Sequence, residues 1–487
     1  MSALKGGGAS KEAAGFEDRW TVNKLFDLLA ESALQIELEP LGTTPGTAEN
    51  GFEFWLRRDG VREWHQVKYQ NSDEGNWPLA DLRKRKVLGY FKDKLETEVD
   101  AHCLFFSAHG AMPLEMLWER SQMSETYERF ADHLLGRYEG DFADLRAAWG
   151  DLDAQRAWEL LCRISTRNMD DRSLRESNRD RARSFVDAED PDAVVERLTT
   201  LVGDRIHRRI DAEAIWTVLE EKGWGPRDWR LDPAVAEAIR VARTDFLRRQ
   251  DERLINRHST PISEVEQVIG AIGAPVPSRP VVLHGPPGCG KSTAMMKAIR
   301  HFTEEGWHVL TLDLASVGAP RSAEELGHAL GLPAAPSDVL GNIVKDKRAL
   351  LAIDGLDRIA FANNSPQELT AVLSEVLHTA CSHERLSVLL SCRSAELEHD
   401  ARVRSAISRF DKSEERLALA RWSQASVQAA LVEAGVEPGN LDETQIELLR
   451  IPQHLYYLLA SKDAGAFDFG SELDLQNRYT THMEVGP

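Results

Sequence analysis

Three groups of residues in this 487-residue chain have the types and spacing that chemistry needs. The first is His284-Gly285-Pro286-Pro287-Gly288-Cys289-Gly290-Lys291-Ser292-Thr293, set between the apolar run PVVL and the helical pattern TAMMKAIRHF. Glycines at this spacing let the backbone curl so that successive N–H groups converge on a phosphate, and the helix N-terminus that follows adds its positive dipole end. Lys291 is then expected to contact the β- and γ-phosphates, and Ser292 to supply an oxygen to Mg²⁺. A GxxxxGKS string arises by chance. The strand before it and the helix after it are what make this one a nucleotide loop.

The second group extends that site. Leu350-Leu351-Ala352-Ile353-Asp354 is an apolar strand ending in an acid, which can hold the water shell of the Mg²⁺, and Asp357 is set to orient the attacking water. A further apolar strand, LSVLLSC, ends at Arg393. Alone, Arg393 reads as a surface residue. At the carboxyl end of a strand beside the nucleotide it becomes a sensor of the γ-phosphate.

The third group lies near the start. Gly51-Phe52-Glu53-Phe54-Trp55-Leu56 and Glu63-Trp64-His65-Gln66-Val67-Lys68-Tyr69 read as strands joined through Arg58-Asp59-Gly60, a D-G hairpin signal. Alternation puts Gln66 and Lys68 on one face and His65 on the other, with Glu53 able to sit across from the first two. An acid and an amide oxygen can hold a divalent metal that activates water, while a lysine stabilises the charge that develops on a phosphodiester. The plain alternative is an exposed amphipathic hairpin. Downstream, LRKRKVLGYFKDK at 82–94 reads as an amphipathic helix with Leu88, Phe91 and Leu95 as its apolar stripe. Its Arg83, Lys84, Lys86 and Lys94 are candidate DNA-phosphate contacts, against the plain alternative of a solvated face.

The elements that must position these groups fall into four stretches. Residues 1–115 mix helix and strand patterns, with a helix near 15–34 and the apolar run CLFFSA. Residues 116–255 read as wholly helical, a spacer or arm, and NMDDRSLRESNRDRARS within them as an exposed helix laced with i,i+4 ion pairs. Within 256–415 a Gly/Pro linker, IGAIGAPVPSRP at 269–280, precedes PVVLHG, HVLTLDL, ALLAIDG and LSVLLSC, which alternate with helices, the mark of a parallel sheet covered on both faces. Residues 416–487 are helical again, a lid. The expected class is thus α/β multidomain. A net charge of −20 argues against a protein that coats DNA as a monomer. Five cysteines without a CxxC pair argue against a disulfide framework or structural zinc. No apolar run is long enough for a membrane helix, and the start lacks a signal-peptide core, so a cytoplasmic protein with no membrane partner is expected.

GPPGCGKST, LLAIDGLD, LLSCRS and RIPQHLYYLL, in that order, resemble the STAND branch of P-loop NTPases, in particular its NACHT-like type. The resemblance implies an ATP-controlled switch that opens into an oligomer, with Pro452 set against the adenine. It also marks one departure: where that family often has an acid after its second Asp, this chain has Asp357-Arg358, which implies slow hydrolysis.

The N-terminal hairpin, with AGFEDRWTVNKLFDLL before it and CLFFSAHGA after it, resembles the PD-(D/E)xK nucleases in their QxK variant, a restriction-endonuclease-like α/β fold. The likeness extends to effectors of bacterial antiphage systems, among them antiviral STAND (Avs) proteins. It implies a metal site of Glu53 and Gln66 with Glu17 added, Lys68 as the catalytic lysine, and Mg²⁺ or Mn²⁺ as the ion. Together the two resemblances imply an antiphage effector in bacterial cytoplasm. An ATP switch would assemble and activate a double-stranded DNA endonuclease after a phage protein is sensed outside this chain, because Avs-like relatives continue where DLQNRYTTHMEVGP stops. The competing expectations are a STAND scaffold whose N-terminal domain binds DNA or a partner without cutting and, more remotely, a remodelling ATPase.

Overall fold

The structure, a computed structural model, describes residues 5–40, 51–58, 60–69, 76–122, 124, 126–252, 262–274, 280–318, 320–344, 347–361, 366–407, 415–461 and 469–485. The hairpin residue Asp59, the linker residues 275–279 and the expected boundary near 255 lie outside them.

A six-stranded mixed sheet forms the N-terminal part, in the order β5-β4-β3-β2-β1-β7. Its strands are β1 (Gln35–Leu38), β2 (Phe54–Arg58), β3 (Val61–Lys68), β4 (Ala101–Ser107), β5 (Ile164–Asn168) and β7 (Arg209–Ile210). Between the last two in sequence, β6 (Val186–Asp187) pairs with β8 (Gly225–Pro226) as a separate ribbon. In the β2–β3 hairpin Arg58 pairs with Val61, so a two-residue turn joins the strands, and Gly60 takes the positive φ of 71° that such a turn demands.

Each face of this sheet has its own core. One face packs Phe54, Leu56, Val67 and Phe106 against Phe16, Trp20 and Phe26 of the opening helix Lys5–Leu29. That helix also meets the helices Asp171–Phe185 and Pro191–Asp204, which explains why it is buried nearly all round over residues 20–28. The other face packs Trp64, Phe105 and Cys103 against Leu82, Leu88, Phe91 and Leu114.

Residues 116–255 differ from the wholly helical arm that their composition predicts. Strands β5 and β7 come from this stretch and complete the N-terminal sheet, while Phe246 on the helix Pro233–Glu252 enters the core beneath the nucleotide loop. Both strands are too short to show alternation, and their edge positions leave them half polar. The Arg/Asp-rich helix Asp171–Phe185 carries the expected exposed pairs, Arg172–Glu176 at 2.9 Å and Arg175–Asp171 at 2.9 Å. Its other face is buried, and there Arg181 is tied into the interior.

The second large sheet is fully parallel, ordered β10-β11-β12-β9-β13. It comprises β9 (Pro280–Gly285), β10 (His308–Asp313), β11 (Ala349–Asp354), β12 (Leu386–Arg393) and β13 (Glu415–Ala418). The first four are the apolar runs of the sequence. Their non-alternating burial follows from helices on both faces: Val309, Leu350 and Leu389 meet the helix Lys291–Glu304, and Leu310, Leu351 and Leu390 meet the helix Pro366–Ser382. β12 lies between β9 and β11, so the ends of all three converge where the chain reverses direction across the sheet, the place where open α/β sheets bind ligands. The C-terminal helices build a separate small core around Leu431, Leu449, Leu455 and Leu475. Among the described residues no helix is long and apolar enough to cross a membrane.

Candidate functional site

The nucleotide loop runs from the end of β9 into the helix Lys291–Glu304. Gly288 and Gly290 have φ of 73° and 100°, a region that side-chain-bearing residues rarely adopt. Gly288 has a second reason to be glycine: a Cβ there would collide with Gln453 and Ile451 of the lid. Lys291 Nζ folds back and donates to the carbonyls of Gly285 at 3.0 Å and Pro286 at 2.9 Å, near the buried Cys289 thiol. Those contacts hold the ammonium over the loop that a phosphate would enter.

Ser292 Oγ donates to Asp354 at 2.9 Å, and the Ser391 hydroxyl donates to the same carboxylate. Burial pushes the Asp354 carboxyl up, and the two hydroxyls oppose that by favouring its ionised form. Ser391 also accepts the Gly355 N–H at 2.8 Å, so one β12 side chain fixes the acid at the end of β11. Arg393 Nε stands 3.1 Å from Asp357 Oδ2.

A cavity of about 590 Å³ joins these groups. Pro287, Gly288, Gly290, Lys291, Ser292 and Thr293 line it with Asp354, Asp357, Arg393 and Pro452. The lid helix Pro452–Ala460 closes one side, and the Gln453 N–H donates to the Gly288 carbonyl at 3.2 Å. The sequence reading missed Tyr456, Tyr457 and Tyr479, which line the lid side, and Ser391, which organises the floor. Tyr456 and Tyr457 are the YY of HLYYLL, one turn past Pro452, and that spacing was a usable signal. Tyr479 had none, because it arrives on a separate helix and meets Tyr456 hydroxyl to hydroxyl at 3.0 Å.

Residues 279–435 match the NACHT domain family. The chain thus carries a NACHT-type P-loop NTPase domain, a nucleotide-binding unit. No curated protein matches the chain. Among solved structures, similarity is found to the Walker-type ATPase PABY2304 of Pyrococcus abyssi, at 15% identity over 47% of this chain and 72% of that one, with a TM-score of 0.32. The ORC2 protein of Aeropyrum pernix in its ADP form is similar at 14% identity over 48% and 74%, TM-score 0.32. DnaA from Aquifex aeolicus bound to AMPPCP is similar at 15% identity over 46% and 66%, TM-score 0.30.

Outside the NACHT domain, the hairpin brings the expected N-terminal residues together. Lys68 Nζ donates to Glu53 Oε1 at 2.6 Å, and the Val67 N–H donates to Glu53 Oε2 at 2.8 Å. Gln66 shares that strand face; it is buried, and its Oε1 has no hydrogen-bond partner among the described residues. Burial pushes the Glu53 carboxyl up, with Lys68 opposing. Glu17, on the opening helix, is raised to about 7 by burial and by the nearby Glu53 charge. His65 faces the other way, stacked on Phe54. Among the described residues no three His, Cys, Asp or Glu side chains form a metal-binding group. A metal here would rest on Glu53 and Glu17 with the Gln66 amide oxygen.

The basic segment departs from its expected form. It is not one helix but two, Leu79–Lys84 and Val87–Thr97, broken where Lys86 adopts a left-handed φ of 63°. The break leaves Arg83, Lys84 and Lys86 exposed together. Lys94 does not join them. It is buried over the Trp64 ring at 3.8 Å and paired with Glu98 at 3.3 Å, because it falls on the same helical face as Phe91 and Leu95. It is a core cation and is not available to a DNA phosphate.

Proposed function

We propose that this chain is a nucleotide-controlled switch governing a metal-dependent DNA endonuclease in antiphage defence. The observation that carries the nuclease half is the convergence of Glu53, Gln66 and Lys68 on one hairpin face, with Lys68 2.6 Å from Glu53 and the unpartnered Gln66 oxygen beside them. Glu53, Gln66 and Glu17 would hold Mg²⁺ or Mn²⁺, which would supply an activated water and polarise the phosphoryl oxygen. Lys68 would release Glu53 to the metal and turn its charge to the developing phosphorane. At the other site the oxygens of Ser292 and Asp354 would hold Mg²⁺ beside the ATP phosphates that Lys291 contacts.

Assembly is part of the same reading. One hairpin site cuts one strand, so a duplex break needs at least two sites brought together. Several copies of the exposed Arg83, Lys84 and Lys86 would also add phosphate contacts that one acidic chain lacks. Asp357-Arg358 in place of paired acids fits a switch that turns over slowly. The trigger would be a phage protein, in a bacterial cytoplasm.

One observation favours a second reading, a scaffold that binds DNA or a partner without cutting: both Glu53 oxygens are already engaged inside the protein. Plasmid degradation by the ATP-bound assembly with Mg²⁺ or Mn²⁺ separates the two. Glu53→Ala should abolish cutting while leaving DNA binding intact, and reversing Arg83 and Lys86 should weaken both without touching ATP affinity. Degradation that survives EDTA, or a Glu53→Ala protein that cuts like the parent, removes the hairpin as the active site.

A further inference from the structure

The helix Pro366–Ser382 follows shortly after the Asp354–Asp357 motif, and one of its faces reaches the other sheet. Glu375 Oε2 accepts from Arg167 Nη1, on β5, at 3.1 Å. One turn later His378 Nε2 stands 3.2 Å from Arg58 Nη1, at the end of β2. Behind these two contacts lies a buried charge network. Asp27 receives Arg181 at 2.7 Å, Arg58 at 2.8 Å and Lys24 at 3.2 Å. Burial alone would push the Glu375 carboxyl up, but Arg167, Lys24 and Arg181 hold it below its ordinary value.

The same helix touches the nucleotide site from behind. The short helix Arg358–Phe361, which begins at the residue after Asp357, packs on it, and so does the helix Ala401–Ile407. The latter also packs on Met112–Gln122 of the N-terminal part. A displacement of Asp357 and Arg358 therefore has a contiguous route to β2, β5 and their covering helices. A directional ion pair and hydrogen bond across such a surface are either made or broken, whereas apolar contact can slide.

We propose that the helix Pro366–Ser382 is the coupling element of this protein: Glu375–Arg167 and His378–Arg58 latch the N-terminal sheet to the NACHT domain, and a nucleotide-driven shift at Asp357-Arg358 releases them. The proposal rests on the nucleotide-switch reading and names its transmission. Reciprocity follows, since a contact that ATP opens must, when broken, strengthen ATP binding by the same factor.

Hydrogen–deuterium exchange on the full chain, with Mg²⁺ and either ADP or a non-hydrolysable ATP analogue, tests this. In the parent the amides of β5 and of Asp171–Phe185 should exchange faster with the analogue. In Glu375→Gln they should exchange at least about tenfold faster already with ADP, the usual consequence of losing one charge-assisted contact, and respond little to nucleotide. Arg167→Gln should behave alike, and the double variant should go no further, because both remove one pair. Arg167→Lys keeps the charge and should keep the response. The two side chains are 22% and 35% exposed, so these changes leave no deeply buried lone charge. The analogue should also bind Glu375→Gln several-fold more tightly. Exchange in Glu375→Gln that matches the parent, in protein that binds both nucleotides, overturns the latch. So does a parent whose N-terminal exchange is identical with the two nucleotides bound. A parent that binds neither nucleotide strikes the switch reading itself.

Discussion

Arg393 Nε lies 3.1 Å from the Asp357 carboxylate, so the cation at the end of β12 and this buried acid neutralise each other across the floor of the nucleotide cavity. Asp357 is buried and so committed, whereas Arg358 beside it is exposed and lines the same cavity. Replacing Arg358 by a carboxylate adds a free base where a water attacking the γ-phosphate would stand. Arg358→Glu is expected to raise basal ATP turnover by about tenfold, short of the roughly hundredfold low end for an ideally positioned base. A phosphate-release assay on the purified chain reads this directly; turnover that stays level or falls means that Asp357 suffices or that Arg358 has a role of its own.

Lys291 already has two carbonyl partners, so its ammonium must trade those of Gly285 and Pro286 for phosphate oxygens when nucleotide enters. Charge-assisted contacts are worth about 1.5–3 kcal/mol each, and phosphate oxygens add a negative charge that the carbonyls lack. Lys291→Ala should therefore weaken ATP binding by at least about tenfold in calorimetric titration. Unchanged affinity in a folded variant would sink the phosphate-loop assignment.

What the sequence made legible was whatever depends on short-range pattern. The four apolar strands β9 to β12, the loop between Gly285 and Ser292, and Asp354 at a strand end are local signals with local causes, and all stand in the structure where the pattern implies. The hairpin face was equally local, because alternation alone decides that Gln66 and Lys68 point together. Other features depend on distant partners. Strand β7 is two residues long and exists only because Arg209 and Ile210 find β1. Lys94 counts as a surface charge until the Trp64 ring and Glu98 are brought to it. Nothing near Tyr479 in sequence says that it will meet Tyr456. Arg181 sits in a run of alternating charges whose exposed face hides the buried one.

That buried face makes a stability prediction. Asp27 is the only acid bonded at once to Lys24, Arg58 and Arg181 among the described residues; burial alone would push its carboxyl up, but these three cations hold it well below the ordinary range. Removing it takes from three interior cations the acid they share. Breaking a buried ion network from one side costs about 3–5 kcal/mol, because the remaining charges keep their desolvation penalty. Asp27→Ala should lose about that much in denaturant unfolding, and Asp27→Asn somewhat less, since its amide oxygen still accepts one donor. A loss under about 1 kcal/mol would mean that water reaches the cluster.

Glu17 gives the pH-dependent test. Burial first, then the Glu53 carboxylate, raise it from an ordinary 4.5 to about 7, with Lys68 opposing. Between those two pH values the folded protein holds a proton that the unfolded chain has released. The contribution of Glu17 to stability is therefore level below 4.5, falls as pH rises through that window, and is level again above about 7. Asp338 and Glu119, also raised to about 7, add to the slope of the parent, so the parent alone cannot assign it. The difference between parent and Glu17→Gln can. The variant keeps the shape and cannot ionise, so its melting temperature should gain on that of the parent from pH 5.5 to pH 8 and hold its lead beyond. A gap of equal size at pH 5.5 and pH 8 would show that Glu17 does not carry this proton. The same titration bears on the metal, which binds the ionised carboxylate and must displace the proton to do so. If Glu17 is a ligand, Mn²⁺ affinity at the hairpin should rise steeply between pH 6 and pH 8 in the parent, and Glu17→Gln should flatten that rise.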